Sequence, residues 1–377
     1  MKKKIMSLFL IATMVISMAA CSTDEPVVND PVENNTETEV QNVVIDGMEL
    51  GGGLLEEEES VGEINDDPDK SIDRAVEPIK PVPDTMLDGT PLTEDFYYYR
   101  STLNETYQQA YDHIKANLLK GSTKFSMTVP VKKEDFFDIY KKVVYDNPEL
   151  FWVEVNGSKY LYNNAGLVVY FMPGYNNLVK DIEGNKAKLE EATAEALADM
   201  WSLETDAEKA KYAHDWLVYN IDYTVDAPYN QTSFSALVEG ETVCAGYAHG
   251  FQYLMQKMGI PCAYVLGYTS GGYHAWNILE LEDKHYAMDV TWDDPINAKK
   301  GKYYYSYFNI TDKKISSDHT RDAISTTIPV AKGTTYSYKN GFGGNSPGTD
   351  FEGIKGEMPE KIQSEQSGGT TAANPYL

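Results

Sequence analysis

A thiol, an imidazole and a carboxylate follow one another in the second half of this 377-residue chain, as Cys244, His274 and Asp289. A cysteine attacks a carbonyl carbon as the thiolate, so it needs a base that takes its proton and a group that orients this base. Imidazole serves as such a base near neutral pH, and a carboxylate holds its tautomer and stabilises the imidazolium. The three residue types together therefore indicate nucleophilic catalysis on a carbonyl group.

Cys244 lies at the start of a stretch that predicts a helix from Cys244 to Met258. Gly259 suits the position after a helix end, and Pro261 cannot continue the helix. At a helix N-terminus, free backbone N–H groups and the helix dipole favour a thiolate, and the same N–H groups stabilise an oxyanion. This location favours a nucleophile, and a buried structural cysteine is the alternative that the segment by itself leaves open.

A disulfide between Cys244 and Cys262 is a second alternative for an exported chain, because exported proteins meet an oxidising environment. The predicted helix separates the two residues by about 21 Å, at a rise of about 1.5 Å per residue. A disulfide requires Cα atoms within about 7 Å of each other. We therefore expect no such disulfide, and Cys262 is interpreted as a small buried side chain.

His274 and Asp289 lie on two predicted strands, YHAWNILEL and KHYAMDVTW, which are joined at Glu282–Asp283. With a two-residue turn, Leu281 pairs with Lys284, and His274 and Asp289 then lie diagonally on one face of the hairpin. Diagonal Cβ atoms on one face are about 7–8 Å apart or slightly less, which two side chains can span. A three-residue loop would place the two residues on opposite faces.

The segments GETVCAGYAHGFQYLMQKMGIPCAYVLGY, YHAWNILEL and HYAMDVTWDDP resemble the three sequence blocks of the transglutaminase-like superfamily. SFSALVEGETVCAGYA is similar to its bacterial exported members, and YFNITDKKISSDH is similar to their C-terminal extension. The resemblance covers about residues 205–320. It implies a papain-like fold and thiol chemistry on amide carbonyls, with Cys244, His274 and Asp289 as the catalytic residues.

Aromatic and polar side chains near these three residues are candidates for supporting roles. In related enzymes an upstream side chain supplies a second oxyanion donor, and the candidates here are Trp216, Asn220 and Tyr223. Trp276 and Trp292 flank the predicted base and carboxylate. Hydrophobic packing under the site is the preferred interpretation of both tryptophans, with substrate contact as the alternative.

The sequence shows no motif that is typical of a metal-binding or nucleotide-binding site. The remaining histidines of the second half show none of the spacings typical of metal ligands; they are His214, His249, His285 and His319. The Gly271–Gly272 pair is interpreted as a turn and not as a phosphate-binding loop. We therefore predict neither a metal nor a cofactor.

The first 20 residues have the pattern of a secretory signal peptide. Three lysines precede an uncharged apolar run from Ile5 to Met18, which is short for a membrane span. Ala19-Ala20-Cys21 resembles a bacterial lipobox, although Met18 stands where leucine is usual. We expect cleavage before Cys21 and a lipid on its sulfur, so the chain would be anchored to the cell membrane outside the cytoplasm, at the bacterial surface or in the periplasm. An ordinary secreted protein is the alternative.

The net charge of −26 is concentrated before the predicted folded part. Residues 22–90 hold 20 Asp and Glu against three Lys and Arg, with few aromatic residues. Such a segment repels itself and buries little apolar surface, which predicts a disordered tether. The acidity also argues against nucleic acid as a partner. Residues 344–377 are rich in Gly, Ser and Pro, which predicts a disordered tail.

The folded part combines helical and strand patterns, which indicates an α+β fold. Before Cys244, periodicity predicts helices in DFYYYRSTLNETYQQAYDHIKANLL, in KEDFFDIYKKVVYD, over Leu178–Trp201 and over Thr205–Ile221, with a strand in KFSMTVPV and a hairpin in KYLYNNAGLVVYFM. The predicted core is papain-like, with the helix bearing Cys244 packed on an antiparallel sheet and an N-terminal α+β extension. The predicted domains are a signal peptide (1–20), a tether (21–90), an N-terminal α+β region (91–200), a transglutaminase-like domain (201–343) and a tail (344–377).

The leading functional hypothesis is a membrane-anchored enzyme that attacks amides of protein or peptide substrates, cell-wall peptide among them, through a thioacyl intermediate. Water as the acceptor would make it a cysteine protease or amidase, and an amine acceptor would make it a crosslinking transglutaminase. The alternative from another class is a non-catalytic surface module that binds peptide or cell-wall polymer. A purely structural envelope lipoprotein would require the Cys, His and Asp pattern to be coincidental.

Overall fold

The computed structural model describes residues 81, 84–295, 303–340 and 342. All of these residues belong to one compact unit, Asn42–Leu377. The predicted signal peptide, Cys21, most of the predicted tether and the predicted tail lie outside the described residues. Among the described helices, none is long and apolar enough to cross a membrane.

Short helices and strands alternate along the described residues. In chain order the helices and strands are α1 (Tyr98–Ser101), α2 (Glu105–Leu119), β1 (Phe125–Ser126), α3 (Lys133–Asp146), β2 (Val153–Tyr162), β3 (Val168–Tyr175), α4 (Ile182–Ala196), α5 (Asp206–Asn220), β4 (Asp222–Tyr223), β5 (Glu241–Thr242), α6 (Cys244–Lys257), β6 (Cys262–Thr269), β7 (Gly272–Leu281), β8 (Lys284–Met288), α7 (Asp312–Ile315) and β9 (Thr320–Arg321).

The N-terminal region contains a three-stranded antiparallel sheet with the strand order β1-β3-β2; α3 packs against β2, and α2 packs against α3. The predicted hairpin and the predicted end of α3 at Asp146 are confirmed. The single helix predicted up to residue 119 is wrong, because α1 ends at Ser101 and α2 begins at Glu105. The Asn104 side chain accepts a hydrogen bond from the backbone N–H of Tyr107 and so starts a new helix.

The C-terminal region contains a four-stranded antiparallel sheet with the strand order β8-β7-β6-β9, against which α6 packs. Leu281 pairs with Lys284, which confirms the predicted two-residue turn. Glu282 and Asp283 have φ angles of 49° and 59°, as the mirror-image turns of tight hairpins require. The predicted α+β fold, with the helix bearing Cys244 on an antiparallel sheet, is confirmed.

Strand β8 ends at Met288, so the strand predicted over KHYAMDVTW is too long. Asp289 starts a turn at this point: its Oδ1 accepts the backbone N–H of Trp292 at 3.1 Å. Aspartate favours such turns because its side chain binds backbone groups a few residues ahead. Asp289 therefore leaves the strand ladder and directs its other oxygen to side chains of the sheet.

Strand β9 passes very close to β6 at Gly267. A Cβ atom at Gly267 would lie 2.1 Å from the carbonyl oxygen of Thr320 and 2.6 Å from Cη2 of Trp276. Glycine is therefore required here for β9 to pair with β6. This pairing brings His319, the residue before β9, next to Trp276.

One hydrophobic core crosses the domain boundary that the sequence predicts at residue 200. Trp152 and Phe171 from the N-terminal region belong to the same buried cluster as Phe251 and Met255 from α6. The N-terminal region therefore supports the helix that bears Cys244.

Residues 84–90, which the sequence analysis assigns to the tether, pack on this core. The Lys115 Nζ lies 2.7 Å from Asp84 Oδ2, and the Leu87 N–H donates to the carbonyl oxygen of Lys257 at the end of α6. The Leu87 side chain is buried. The folded part thus begins by residue 84.

Candidate active site

Cys244 is the first residue of α6, and the extended residue Val243 caps the helix. Its side chain is 2% exposed and belongs to an apolar cluster with Ala245 and Ala248. Neither Cys244 nor Cys262 forms a disulfide, as the sequence analysis expects. Cys262 lies after the far end of α6, fully buried, and this burial raises its pKa well above the usual range.

His274 from β7 and Asp289 after β8 form a hydrogen-bonded pair. The His274 Nε2–H donates to Asp289 Oδ2 over 2.8 Å. The His274 ring also forms a hydrogen bond with the side chain of Cys244. The structure thus brings together the three residues that the sequence analysis selected, with the imidazole between the thiol and the carboxylate.

The charges of this group follow from its burial and its internal contacts. Burial alone would lower the pKa of His274, but Asp289 and Cys244 overcome this effect and raise the pKa to about 10. Burial likewise opposes the ionisation of Asp289, while the charge of His274 and the hydrogen bonds from His274 and His319 lower its pKa to about 2. At neutral pH, His274 is therefore an imidazolium and Asp289 a carboxylate.

A second histidine, His319, binds the same carboxylate. Its Nε2 lies 3.0 Å from Asp289 Oδ2, on which the His274 hydrogen bond also ends. The sequence analysis considered His319 only as a metal ligand, because nothing in its spacing relates it to Asp289, 30 residues earlier. The available signal was its location in the segment SSDH, at the end of the block that resembles the C-terminal extension.

The ligand atoms of His274, Asp289 and His319 lie within 4.8 Å of one another, a separation that a shared metal ion could span. A tetrahedral zinc ion with bonds of about 2.0–2.1 Å would hold its ligands about 3.3 Å apart. The two nitrogen–oxygen distances here are 2.8 and 3.0 Å, which are hydrogen-bond distances. Both contacts to the Asp289 oxygen therefore have the geometry of hydrogen bonds.

Two tryptophans surround the paired histidines. Trp276 is 1% exposed, and its ring lies 6.2 Å from the ring of His274 and 5.1 Å from that of His319. The Trp292 ring is half-buried and lies 5.7 and 4.5 Å from the same two rings. The burial of Trp276 supports the packing interpretation, while Trp292 also presents part of its surface to solvent.

Of the three candidates for a second oxyanion donor, Tyr223 is the one that packs against the buried cluster to which Cys244 belongs. The Asn220 amide donates to the carbonyl oxygen of Trp216, so this donor is used at the end of α5. The Trp216 ring packs on the main core. Tyr223 packs on the main core as well, and in addition against the cluster that contains Cys244.

A third histidine ties α5 to the turn after Asp289. His214 Nδ1 lies 2.9 Å from Asp215 Oδ1, and its Nε2 lies 3.3 Å from Asp293 Oδ2, with all three side chains fully buried. Asp293 also accepts the backbone N–H of Tyr307. This cluster holds the turn that carries Asp289 in place.

Replacement of His214 by glutamine is expected to lower the free energy of unfolding by about 3–5 kcal/mol, because the buried Asp293 loses its cationic partner and Asp215 keeps only Lys211. Burial opposes the charge of His214, but Asp215 and Asp293 raise its pKa to about 9. Its contribution to stability is therefore complete below its ordinary pKa of 6.5 and is lost as the pH rises through 9. Urea unfolding at pH 6, 8 and 10 should show a difference from the original chain that shrinks at pH 10. A constant difference, or an equal loss in His285→Gln, would contradict this role.

A comparison with protein-family models finds a match for one part of the chain. Residues 195–290 match the family model of the transglutaminase-like superfamily, and this stretch contains Cys244, His274 and Asp289. His319 lies beyond it.

Relatives of known identity match part of the chain. Human kyphoscoliosis peptidase is 28% identical over 159 residues, which are 36% of this chain and 24% of that protein. The mouse kyphoscoliosis peptidase is 28% identical over 140 residues, 32% of this chain and 21% of that protein. The chain therefore spans less than a quarter of the length of these relatives. A crystal structure of a TGase is similar with 16% identity and a TM-score of 0.27, over 40% of this chain and 50% of that one.

Proposed function

We propose that the protein is a cysteine-dependent enzyme that attacks amide carbonyls, on the premise that residues 195–290, which match the family model of the transglutaminase-like superfamily, form a domain of that kind. The observation that carries the proposal is a thiol at the start of a helix that meets a histidine bound to a buried carboxylate. Cys244 is the nucleophile, His274 transfers the proton and Asp289 orients the imidazole.

In the first half-reaction, the Cys244 thiolate adds to the carbonyl carbon and the carbonyl electron pair moves onto oxygen. The first turn of a helix carries N–H groups without intrahelical acceptors, which stabilise this oxyanion. The His274 imidazolium then gives its proton to the leaving nitrogen. The carbon–nitrogen bond breaks, the amine departs and the acyl group stays on Cys244 as a thioester.

In the second half-reaction, water or an amine attacks the thioester and His274 takes its proton. The carbon–sulfur bond breaks and the thiolate returns. Water yields hydrolysis, and a lysine or other amine yields an amide crosslink. Because Cys244 is only 2% exposed, the reacting carbonyl has to reach a buried thiol, which favours a side-chain amide or an extended peptide over a folded surface.

We further propose that the enzyme acts outside the cytoplasm, anchored by a lipid on Cys21. Support comes from the lipobox-like sequence before Cys21 and from the acidic segment that separates it from the folded part. Proteins, peptides and cell-wall peptide are then the accessible amides. Metabolic labelling with a radioactive fatty acid would reject the anchor if the chain and its Cys21→Ala variant were labelled equally.

Alkylation by iodoacetamide between pH 5 and 9 tests the catalytic centre without knowledge of the substrate. We expect selective reaction of Cys244 below pH 7, mapped by mass spectrometry, because an imidazolium beside a thiol favours the thiolate. In His274→Ala the rate at pH 6 should fall by about tenfold or more. Cys262 is the internal control, since burial raises its pKa and keeps it as the thiol.

Reaction of Cys244 only above pH 8, or at the rate of Cys262, would rule out the proposed chemistry. A non-catalytic binding module would then be the better interpretation of the same group of residues.

A further inference from the structure

One oxygen atom of Asp289 accepts hydrogen bonds from two histidines, His274 and His319. Asp289 Oδ2 accepts from His274 over 2.8 Å and from His319 over 3.0 Å, while Oδ1 accepts the backbone N–H of Trp292 over 3.1 Å. We infer that His319 is a positioning residue of the proposed catalytic centre, which fixes the Asp289 carboxylate and through it the imidazole of His274. The inference rests on the proposed function and adds a fourth residue, from outside the family match, to the group of three.

The second nitrogen of His319 is also occupied. His319 Nδ1 lies 2.6 Å from Asp318 Oδ1, and the Tyr307 hydroxyl donates to Asp318 Oδ2 over 2.8 Å. Ionised carboxylates only accept hydrogen bonds, so the contact with Asp289 requires the hydrogen to be on the His319 Nε2. His319 therefore presents an N–H to Asp289, and its own ring is held from the other side by Asp318.

Backbone and aromatic contacts around His319 restrict the movement of its ring. The His319 N–H donates to the carbonyl oxygen of Ile315 over 2.9 Å, and the side chain is fully buried. The rings of Trp292, Trp276 and Tyr307 lie 4.5, 5.1 and 5.5 Å from it. A side chain that only filled space would not require two carboxylates on its two nitrogens.

A carboxylate can rotate about its side-chain bonds, and a triad requires it in one orientation. With donors on both oxygens, Asp289 has a fixed plane, and Oδ2 faces His274 along a defined direction. Loss of the His319 donor would remove one of the two hydrogen bonds on Oδ2. The carboxylate, and with it the His274 ring, could then rotate more freely. A displacement of about 1 Å at a reacting group can cost about 10²-fold in rate.

The pair His319→Gln and His319→Asn tests this role. The Gln amide nitrogen reaches about as far as the Nε2 of histidine and can still donate to Asp289, whereas that of Asn is too short. We expect His319→Gln to alkylate Cys244 at pH 6 within about threefold of the original chain, and His319→Asn about 10- to 100-fold more slowly. His285→Asn, a half-buried histidine on β8, is the matched control and should leave the rate unchanged.

A second readout does not depend on reactivity. The His274 Nε2–H that binds Asp289 should give a downfield proton resonance, assigned by its loss in His274→Gln. It should move in His319→Asn and stay in place in His285→Asn, while thermal unfolding verifies that each variant is folded.

The inference would be overturned if His319→Asn alkylated Cys244 at the rate of the original chain and left the His274 resonance in place. It would also be overturned if His319→Gln and His319→Asn reduced the alkylation rate equally. In both cases a Cys244 that still reacts selectively below pH 7 leaves the proposed function standing. If the original chain itself shows no selective reaction, the proposed function fails and the inference falls with it.

Discussion

Replacement of Cys244 by alanine is expected to reduce turnover of amide substrates by about 10⁴-fold or more, because no thioester forms without the thiol. The fold should persist, since Cys244 lies in an apolar cluster with Ala245 and Ala248 that accommodates another alanine. The loss of one buried atom changes the free energy of unfolding by about 1 kcal/mol. Release of a labelled amine from a peptide library, and incorporation of a fluorescent amine into protein, measure hydrolysis and transamidation separately.

Cys262→Ala is the matched control for this experiment. It removes the same atom from an equally buried residue after the other end of α6, and turnover should stay within about threefold of the original chain, since no part of the proposed reaction uses it. Intact-mass measurement should detect an acyl adduct in the control and none in Cys244→Ala. Undiminished turnover in Cys244→Ala would assign any activity to another residue.

Local rules were sufficient to predict the scaffold of the site. The helix that begins at Cys244 follows from its apolar pattern and from Gly259, whose φ of 77° suits the residue after a helix end. The hairpin register follows from the two-residue turn after Leu281. Together these two elements bring Cys244 and His274 to one place, and each depends on residues close in sequence.

Sequence patterns did not predict where two elements end, because those ends depend on side-chain and tertiary contacts. The sequence predicts a continuous helix up to residue 119, but the Asn104 cap and the packing of α1 on α3 separate two helices. It also extends β8 past Asp289, because a strand pattern does not reveal that the Asp289 side chain will bind the Trp292 backbone. In both places a short polar side chain binds the backbone and interrupts an element that periodicity would continue.

His319 shows why one carboxylate can acquire a partner that no spacing rule predicts. It reaches Asp289 because β9 pairs with β6, and that pairing depends on Gly267, more than 50 residues before it. The sequence contains all of these residues, but their relation exists only in the folded sheet. Predictions from local pattern therefore give the nucleophile and its base more readily than the groups that hold them.

Asp289→Asn is expected to lower turnover by about 10³- to 10⁴-fold while the cysteine and histidine remain. An asparagine offers one oxygen and one NH₂ group where Asp289 has two oxygens, and both oxygens face donors. Either orientation of the amide places a donor against a donor, at Trp292 or between His274 and His319. His274 then loses the buried charge that raises its pKa to about 10.

The same substitution should destabilise the protein in a defined pH window. The folded-state pKa of Asp289 is about 2 against an ordinary value of 3.8, so its contribution is present above 3.8 and is lost as the pH falls through 2. The contribution of His274 is complete below 6.5 and is lost as the pH rises through 10. Urea unfolding should therefore show the largest deficit, about 3–5 kcal/mol, between pH 4 and 6.5, with a smaller one near pH 10. Asp283→Asn, at the exposed turn of the same hairpin, is the control. A deficit that is equal in the two variants, or turnover in Asp289→Asn close to that of the original chain, would remove Asp289 from the proposed centre.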